Sequence, residues 1–244
     1  MRLYDDHADL YAAAFSWDVR GEVERILSLT GSVPRRALEP MCGPGRLLAE
    51  LGRHGCDLVG IDASDAMLRL AAQLLARFTF TPILGSVVDT VLDEACDLAV
   101  CPINSVAYLS PEQLAHHLGS MARNLRPGSS YWVQLDLRTS DRLPAPPSQC
   151  WDFEFEGRTM RCEWFGESCD GEWEVEVSRF TCPATGEMVE TRHRMKVWTW
   201  PAWRSVVAQG PFAQVAAFTN AFEPLPVDAG LQDVPLTWHQ LVRE

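Results

Sequence analysis

Along the first thirty residues the apolar positions recur every three to four places. Leu10, Ala13, Ala14 and Trp17 share one helical face, as do Val23, Ile26, Leu27 and Thr30. One or two amphipathic helices over 6–30 are expected, with Gly31 as C-cap and Pro34 ending the segment. From residue 37 short apolar runs alternate with helical stretches. Ala37–Met41, Asp57–Asp62, Thr79–Leu84, Asp97–Cys101 and Ser130–Leu137 read as strands. Between them, Leu47, Leu48 and Leu51 mark a helix that Gly52 to Gly55 end. Ser64 N-caps the helix of Met67, Leu68, Leu70, Ala71 and Leu74. Ser110-Pro-Glu-Gln113 opens a helix running to Leu125, and Pro127-Gly128 breaks the chain before the next strand. Such strand–helix units imply right-handed crossovers, a mostly parallel sheet and helices on both faces.

After Leu143 the period changes. Pro144-Ala-Pro-Pro147 is a linker-like break, and Trp151–Glu156, Met160–Trp164, Trp173–Val177 and His193–Trp200 alternate with period two. These read as antiparallel strands with one wet and one buried face. Phe212–Phe218 and Leu236–Val242 are apolar segments suited to completing the main sheet. The expected organisation is a Rossmann-like α/β domain from 1–143 and 201–244 with a seven-stranded sheet. A small antiparallel β insertion occupies 144–200.

Composition narrows the chemistry. The 244 residues carry 21 Lys+Arg against 33 Asp+Glu, a formal charge of −12, and Lys196 is the single lysine. It follows no glycine-rich loop, so a P-loop is excluded, and its strand-like setting argues against a Schiff base. The acidic balance and the lack of a basic block argue against nucleic acid as partner. No apolar run approaches a membrane span, and no basic stretch precedes an apolar core at the N-terminus. The cysteines lack metal-ligand spacing, so free thiols in a reducing cytoplasm and no metal are expected. Residues 151–190 hold eleven acids against Arg158, Arg161 and Arg179. Alternation places many of them on the wet face; rimming a pocket instead, they would favour a cationic amine.

The informative segment is Glu39-Pro-Met-Cys-Gly-Pro-Gly-Arg46, with Asp62 ending the next strand. Gly43 and Gly45 let the backbone approach a ligand, and an acid at the second strand's end can accept ribose hydroxyl protons. The third glycine of a dinucleotide turn would stand at 48, which is Leu48. Glu39 would repel a pyrophosphate but attract a cationic amine. A positively charged nucleoside therefore fits better than NAD.

These residues, with Val59-Gly-Ile-Asp62-Ala-Ser-Asp-Ala-Met67-Leu and Leu125-Arg-Pro-Gly128, resemble class I S-adenosylmethionine-dependent methyltransferases. Tyr4-Asp-Asp-His-Ala-Asp-Leu-Tyr11 and the β insertion resemble the small-molecule N-methyltransferases among them, the amino-sugar and glycine N-methyltransferase-like enzymes. The resemblance implies S-adenosylmethionine as cofactor, held by Tyr11, Glu39, Gly43, Gly45, Arg46, Asp62, Ala63, Met67, Ser86 and Val87. Ser86 stands where the family often has an acid near the adenine, and Asp89 is the alternative. Tyr4 and Tyr108 are implied near the reacting centre, with Asn104 and Tyr108 toward the acceptor. Met41 and Pro44 depart from the family's turn. The expected activity is methyl transfer to a small molecule, nitrogen slightly preferred over oxygen or carbon. The alternative is a non-catalytic module binding the same cofactor. The insertion is left as substrate platform, packing element or homodimer contact.

Overall fold

The computed structural model describes residues 3–138, 149–226 and 234–244. The Pro144–Pro147 break lies outside the described residues. In chain order the elements are α1 (Leu3–Asp6), α2 (Ala8–Ala14), α3 (Arg20–Thr30), β1 (Arg36–Pro40), α4 (Arg46–Arg53), β2 (Asp57–Asp62) and α5 (Asp65–Leu74). Next come β3 (Phe80–Leu84), β4 (Cys96–Cys101), a 3-10 turn (Ser105–Tyr108), α6 (Pro111–Asn124) and β5 (Leu125–Arg138). Then follow β6 (Gln149–Phe155), β7 (Arg158–Cys169), β8 (Trp173–Thr181), β9 (Met188–Lys196), β10 (Trp198–Thr199), α7 (Trp200–Ala208), β11 (Phe212–Phe218), β12 (Pro224–Leu225) and β13 (Val234–Arg243).

The main sheet runs β12-β11-β13-β5-β4-β1-β2-β3, with β10 pairing β5. Strands β3, β2, β1, β4 and β5 are parallel; β13 and β11 run antiparallel at the far side. This is the expected seven-stranded, mostly parallel α/β sheet, extended by the two-residue strands β10 and β12. Helices pack on both faces over separate apolar clusters, one around Leu114, Met121 and Trp203, the other around Leu48, Trp132 and Trp238. The expected break at Pro127-Gly128 is a bulge in β5. Cys96 pairs Leu125 and Leu98 pairs Ser130, and the extra β5 residues loop out, with Gly128 at φ 79°.

The second sheet is antiparallel, β6-β7-β8-β9. The run from His193 to Trp200 divides differently from its alternation. The strand stops at Lys196, Trp198–Thr199 joins β5, and α7 starts at Trp200. Thr199 accepts the Ala202 N–H as N-cap and Pro201 sits in the first turn, a helix-start signal stronger than the alternating tryptophans around it. The N-terminal segment folds as three helices. Two of them, α1 and α2, pack Leu3, Leu10, Ala14 and Phe15 against Met160, Cys162 and Phe180 of the second sheet. They roof the second sheet while contacting α5 at the carboxyl end of β2.

Candidate functional site

The glycine turn leaves β1 at its carboxyl end. Met41 has φ 55°, Gly43 φ 51° and Gly45 φ 80°, so the turn holds a non-glycine side chain in the left-handed region. The two glycines serve different ends. A Cβ on Gly45 would meet Leu75 Cδ1 at 3.0 Å and Ala71 Cβ at 3.2 Å, so helix packing needs that glycine. A Cβ on Gly43 would meet nothing within 4 Å, so space is left open beside the turn.

Two carboxylates stand at this end of the sheet. Glu39 pairs Gly60 in the β1–β2 register, which sets Asp62 two residues further along the neighbouring strand. Asp62 Oδ2 accepts the Gly43 N–H at 2.8 Å and Oδ1 accepts the Ser64 N–H at 2.9 Å. Each oxygen keeps a further lone pair for a ligand hydroxyl. Burial raises the Asp62 carboxyl, opposed by those backbone bonds. Glu39 is 3% exposed, and its Oε2 has no hydrogen-bond partner. Burial pushes its carboxyl up to about 8, against the nearby Arg46 charge and the Leu48 backbone N–H. A buried, half-satisfied carboxylate is costly unless a ligand cation completes it.

Arg46, the first residue of α4, lies over the Trp17 ring at 4.1 Å and donates to the Trp17 carbonyl. Tyr11 stacks on Phe15 at 4.3 Å, and burial pushes its phenol up to about 12. Ser64 ties the roof to this turn: its hydroxyl donates to the Tyr4 carbonyl at 2.7 Å and accepts the Met67 N–H. Ala63 is exposed beside it, while the Met67 side chain is buried in the protein. Ser86 is exposed, and its hydroxyl accepts the Val88 N–H at 3.2 Å. Val87 is buried in the core, and its carbonyl bonds His117 Nδ1 at 2.9 Å. Glu39, Gly43, Gly45, Arg46, Asp62 and Tyr11 thus gather around one turn, whereas the Met67 and Val87 side chains are buried.

Tyr4 leads from this turn to a second group. Its hydroxyl and that of Tyr108 share a 2.6 Å hydrogen bond, and Tyr108 Oη lies 3.1 Å from His193 Nδ1. The other ring nitrogen of His193 lies 3.1 Å from Thr191 Oγ1. The ring stacks on Trp164 at 5.3 Å and 9°, and Trp164 Nε1 donates to Glu176 Oε2 at 2.5 Å. Burial raises the Tyr4 and Tyr108 phenols and lowers His193 to about 4. It also pushes Glu176 up to about 7, helped by the charge of Glu174. Arg138 donates to both oxygens of Glu174 at 2.9 and 2.8 Å and reaches Asp136 at 3.3 Å. Asn104, at φ 55°, uses Oδ1 to accept the Asp136 N–H at 3.1 Å, bracing the loop after β4.

Glu174, Glu176, Trp164, Thr191, Arg138 and His193 carry no motif in the sequence that marks them as a group. Many acids of this stretch were expected on the wet face, with a pocket rim as the alternative; Glu174 and Glu176 are buried, at 3% and 7% exposure. The other acids in this stretch mostly pair at the surface, Asp152 with Arg161 and Glu167 with Arg192 among them. The legible signal was register. The turn after Thr181 sets Glu176 opposite His193 and Ser178 opposite Thr191, so these polar residues share a face. His117 and His239 are buried packing residues, bonded to Tyr131 and to Thr237. Among the described residues no group of three or more His, Cys, Asp or Glu is arranged to hold a metal, and no helix is long and apolar enough to cross a membrane.

A family model described as a methyltransferase domain matches residues 37–128, from β1 to the β5 bulge. No curated protein sequence matches the chain. Solved structures do. The CcbJ methyltransferase from Streptomyces caelestis is similar with TM-score 0.77 and 13% identity, covering 98% of each chain. CalS10, an amino pentose methyltransferase from Micromonospora echinaspora with SAM bound, gives TM-score 0.75 and 16% identity, covering 95% of this chain and 96% of that one. The sugar N-methyltransferase KedS8 from Streptoalloteichus sp. gives TM-score 0.75 and 20% identity, covering 97% and 92%. The likeness covers at least 95% of this chain in each case.

Proposed function

We propose that the chain, whose residues 37–128 match a methyltransferase domain model, transfers a methyl group from S-adenosylmethionine to the nitrogen of a small-molecule amine, an amino sugar being the favoured acceptor class. The observation that carries this reading is Glu39: a buried carboxylate with one oxygen unpartnered, at the turn whose Gly43 leaves open space and whose Asp62 keeps lone pairs free. That set suits a nucleoside with a cationic amino-acid tail, with Glu39 toward the amine, Asp62 toward the ribose hydroxyls and Gly43 against the chain between them. The amino pentose and sugar N-methyltransferases among the similar structures support the acceptor class.

The cofactor supplies the sulfonium methyl, an electrophile needing no acid catalysis. The chain's own tasks are alignment and exclusion of water. Roof helices α1 and α2, tied down by Ser64 and packed on the second sheet, cover the reaction space. Tyr4 and Tyr108 set two hydroxyls between the glycine turn and the second sheet, suited to holding an amine by its N–H.

Calorimetry with S-adenosylmethionine and S-adenosylhomocysteine tests the first step, and mass spectrometry of free aminohexoses and aminopentoses incubated with enzyme and cofactor tests the second. Binding of both cofactor forms and gain of one or two methyl groups on nitrogen are expected. Absence of binding overturns the reading. Binding without turnover on amines, alcohols or carbon acids would favour the non-catalytic alternative.

A further inference from the structure

His193 ends a hydrogen-bond chain that begins at Tyr4, and the number of protons in that chain decides what Tyr4 offers. A tyrosine hydroxyl has one proton to donate, and a neutral imidazole has one N–H and one bare nitrogen. With the N–H on Nε2, directed to Thr191 Oγ1, the bare Nδ1 accepts from Tyr108. Tyr108 has then spent its proton and must accept from Tyr4. Tyr4 in turn has spent its own and shows only lone pairs to anything beyond. A proton on Nδ1, in the other neutral tautomer or in the imidazolium, would reverse every link: Nδ1–H would donate to Tyr108, Tyr108 to Tyr4, and Tyr4 would offer its proton outward.

The two polarities have opposite consequences for an amine. A Tyr4 oxygen that accepts an amine N–H leaves the nitrogen lone pair free to point at the methyl group. A Tyr4 that donates binds that lone pair and competes with the transfer. We infer that His193 is a positioning residue that fixes the polarity of the Tyr108–Tyr4 hydroxyl chain, so that Tyr4 receives the acceptor's N–H. This deepens the methyltransferase reading and rests on it.

The surroundings of His193 keep the ring neutral and place both nitrogens against hydroxyls. Thr191 lies on its own strand, Tyr108 comes from the turn after β4, and the Tyr4 ring from α1 stands 5.5 Å away. Trp164 from β7 covers one face, its ring held by Glu176 from β8. Glu174 beside Glu176 is committed to Arg138 of β5. The ring itself is 7% exposed, and burial lowers its basicity to about 4, so it is neutral at physiological pH. The carboxylate nearest in this chain of contacts is spent on the indole N–H rather than on the imidazole, so no anion draws a second proton onto His193.

The chain has only four tyrosines and six histidines, which makes the test spectroscopic. Nitrogen NMR on protein labelled at histidine, with the His193 lines assigned by their loss in His193→Asn, should show Nε2 protonated and Nδ1 bare at pH 7. Protein labelled at the tyrosine ζ-carbon should show the Tyr108 and Tyr4 lines displaced in His193→Phe, with the Tyr131 line unmoved. In the methyl-transfer assay with the aminohexose and aminopentose panel, His193→Phe should lower kcat at least tenfold while S-adenosylhomocysteine affinity, read by calorimetry, stays within twofold. His193→Asn, which restores an acceptor oxygen near the Nδ1 position, should recover most of the loss. A proton on Nδ1 at pH 7, wild-type kcat in His193→Phe, or no rescue by Asn over Phe would each overturn the inference. Loss of cofactor binding or absence of amine turnover in the unaltered protein overturns the methyltransferase reading instead, a separate result.

Discussion

The protein sets a pair of carboxylates in each of two regions, and uses them differently. At the end of the parallel sheet, Glu39 and Asp62 sit on adjacent strands with open space beside them and incomplete hydrogen bonding. In the second sheet, Glu174 and Glu176 sit two residues apart on one strand and are spent on protein partners: Arg138 clamps one and the Trp164 indole holds the other. The first pair is the one we assign to a ligand. The second pair builds a wall, keeping Trp164 flat against His193 and holding the second sheet on the end of β5. A buried acid therefore signals ligand binding only where its own partners run out.

This contrast can be broken by removing one partner at a time. The largest effect is expected from Arg138→Met, which removes the guanidinium that bonds both oxygens of Glu174. Breaking a buried pair in this way costs about 3–5 kcal/mol, and urea unfolding should show it. Unchanged stability would mean that the wall does not depend on the clamp.

Asp62→Ala tests the other side. Losing charge-assisted bonds to a ligand's hydroxyls should weaken S-adenosylhomocysteine binding about a hundredfold, read by calorimetry. Unchanged affinity would show that the ribose lies elsewhere.

The third prediction is a pH dependence. In the free protein burial holds the Glu39 carboxyl near 8, so it is largely protonated at neutral pH. A cationic ligand group needs the carboxylate form. Affinity should therefore be full above about 8 and fall as pH drops, by up to about tenfold per pH unit. Calorimetry at pH 7 in two buffers of different ionisation heat should register proton release on binding, and Glu39→Gln should abolish it. A pH-independent affinity would contradict the assignment of Glu39 to the amine.

The smallest effect is expected from Arg161→Gln. The Arg161–Asp152 pair is half exposed on the outer face of the second sheet. Its loss should leave the unfolding midpoint unchanged, since exposed pairs are screened and entropically costly. A clear drop would mean that the surface acids also carry structure.

Much of the first region was legible in the chain. Parallel strands buried on both faces read as apolar runs, so an acid inside one, such as Glu39, or at its end, such as Asp62, stands out. The glycine positions follow from local backbone freedom, and Ser64 and Ser110 cap their helices as their spacing implies. Ser86 and Val87 have local roles that the sequence pattern did not show. The serine hydroxyl closes its own turn and the valine turns into the core, because the β3 loop folds back on α6.

The second region was legible only as a period. Alternation said that one face of each strand would be wet and the other buried, but not which face, since both phases of Trp173–Val177 contain good strand formers. The face carrying Glu174, Glu176, Ser178, Thr191 and His193 is buried because Tyr108, Arg138 and the roof helices close over it. Those contacts span 36 to 104 residues of sequence. The sequence by itself determined the strand–helix order, the glycine turn and its two acids, because each follows from short-range sterics and the cost of burying charge. The tertiary structure alone decided that Tyr4, Tyr108 and His193 meet in one hydroxyl chain. That meeting depends on how two sheets and a helical roof pack, which no local period encodes.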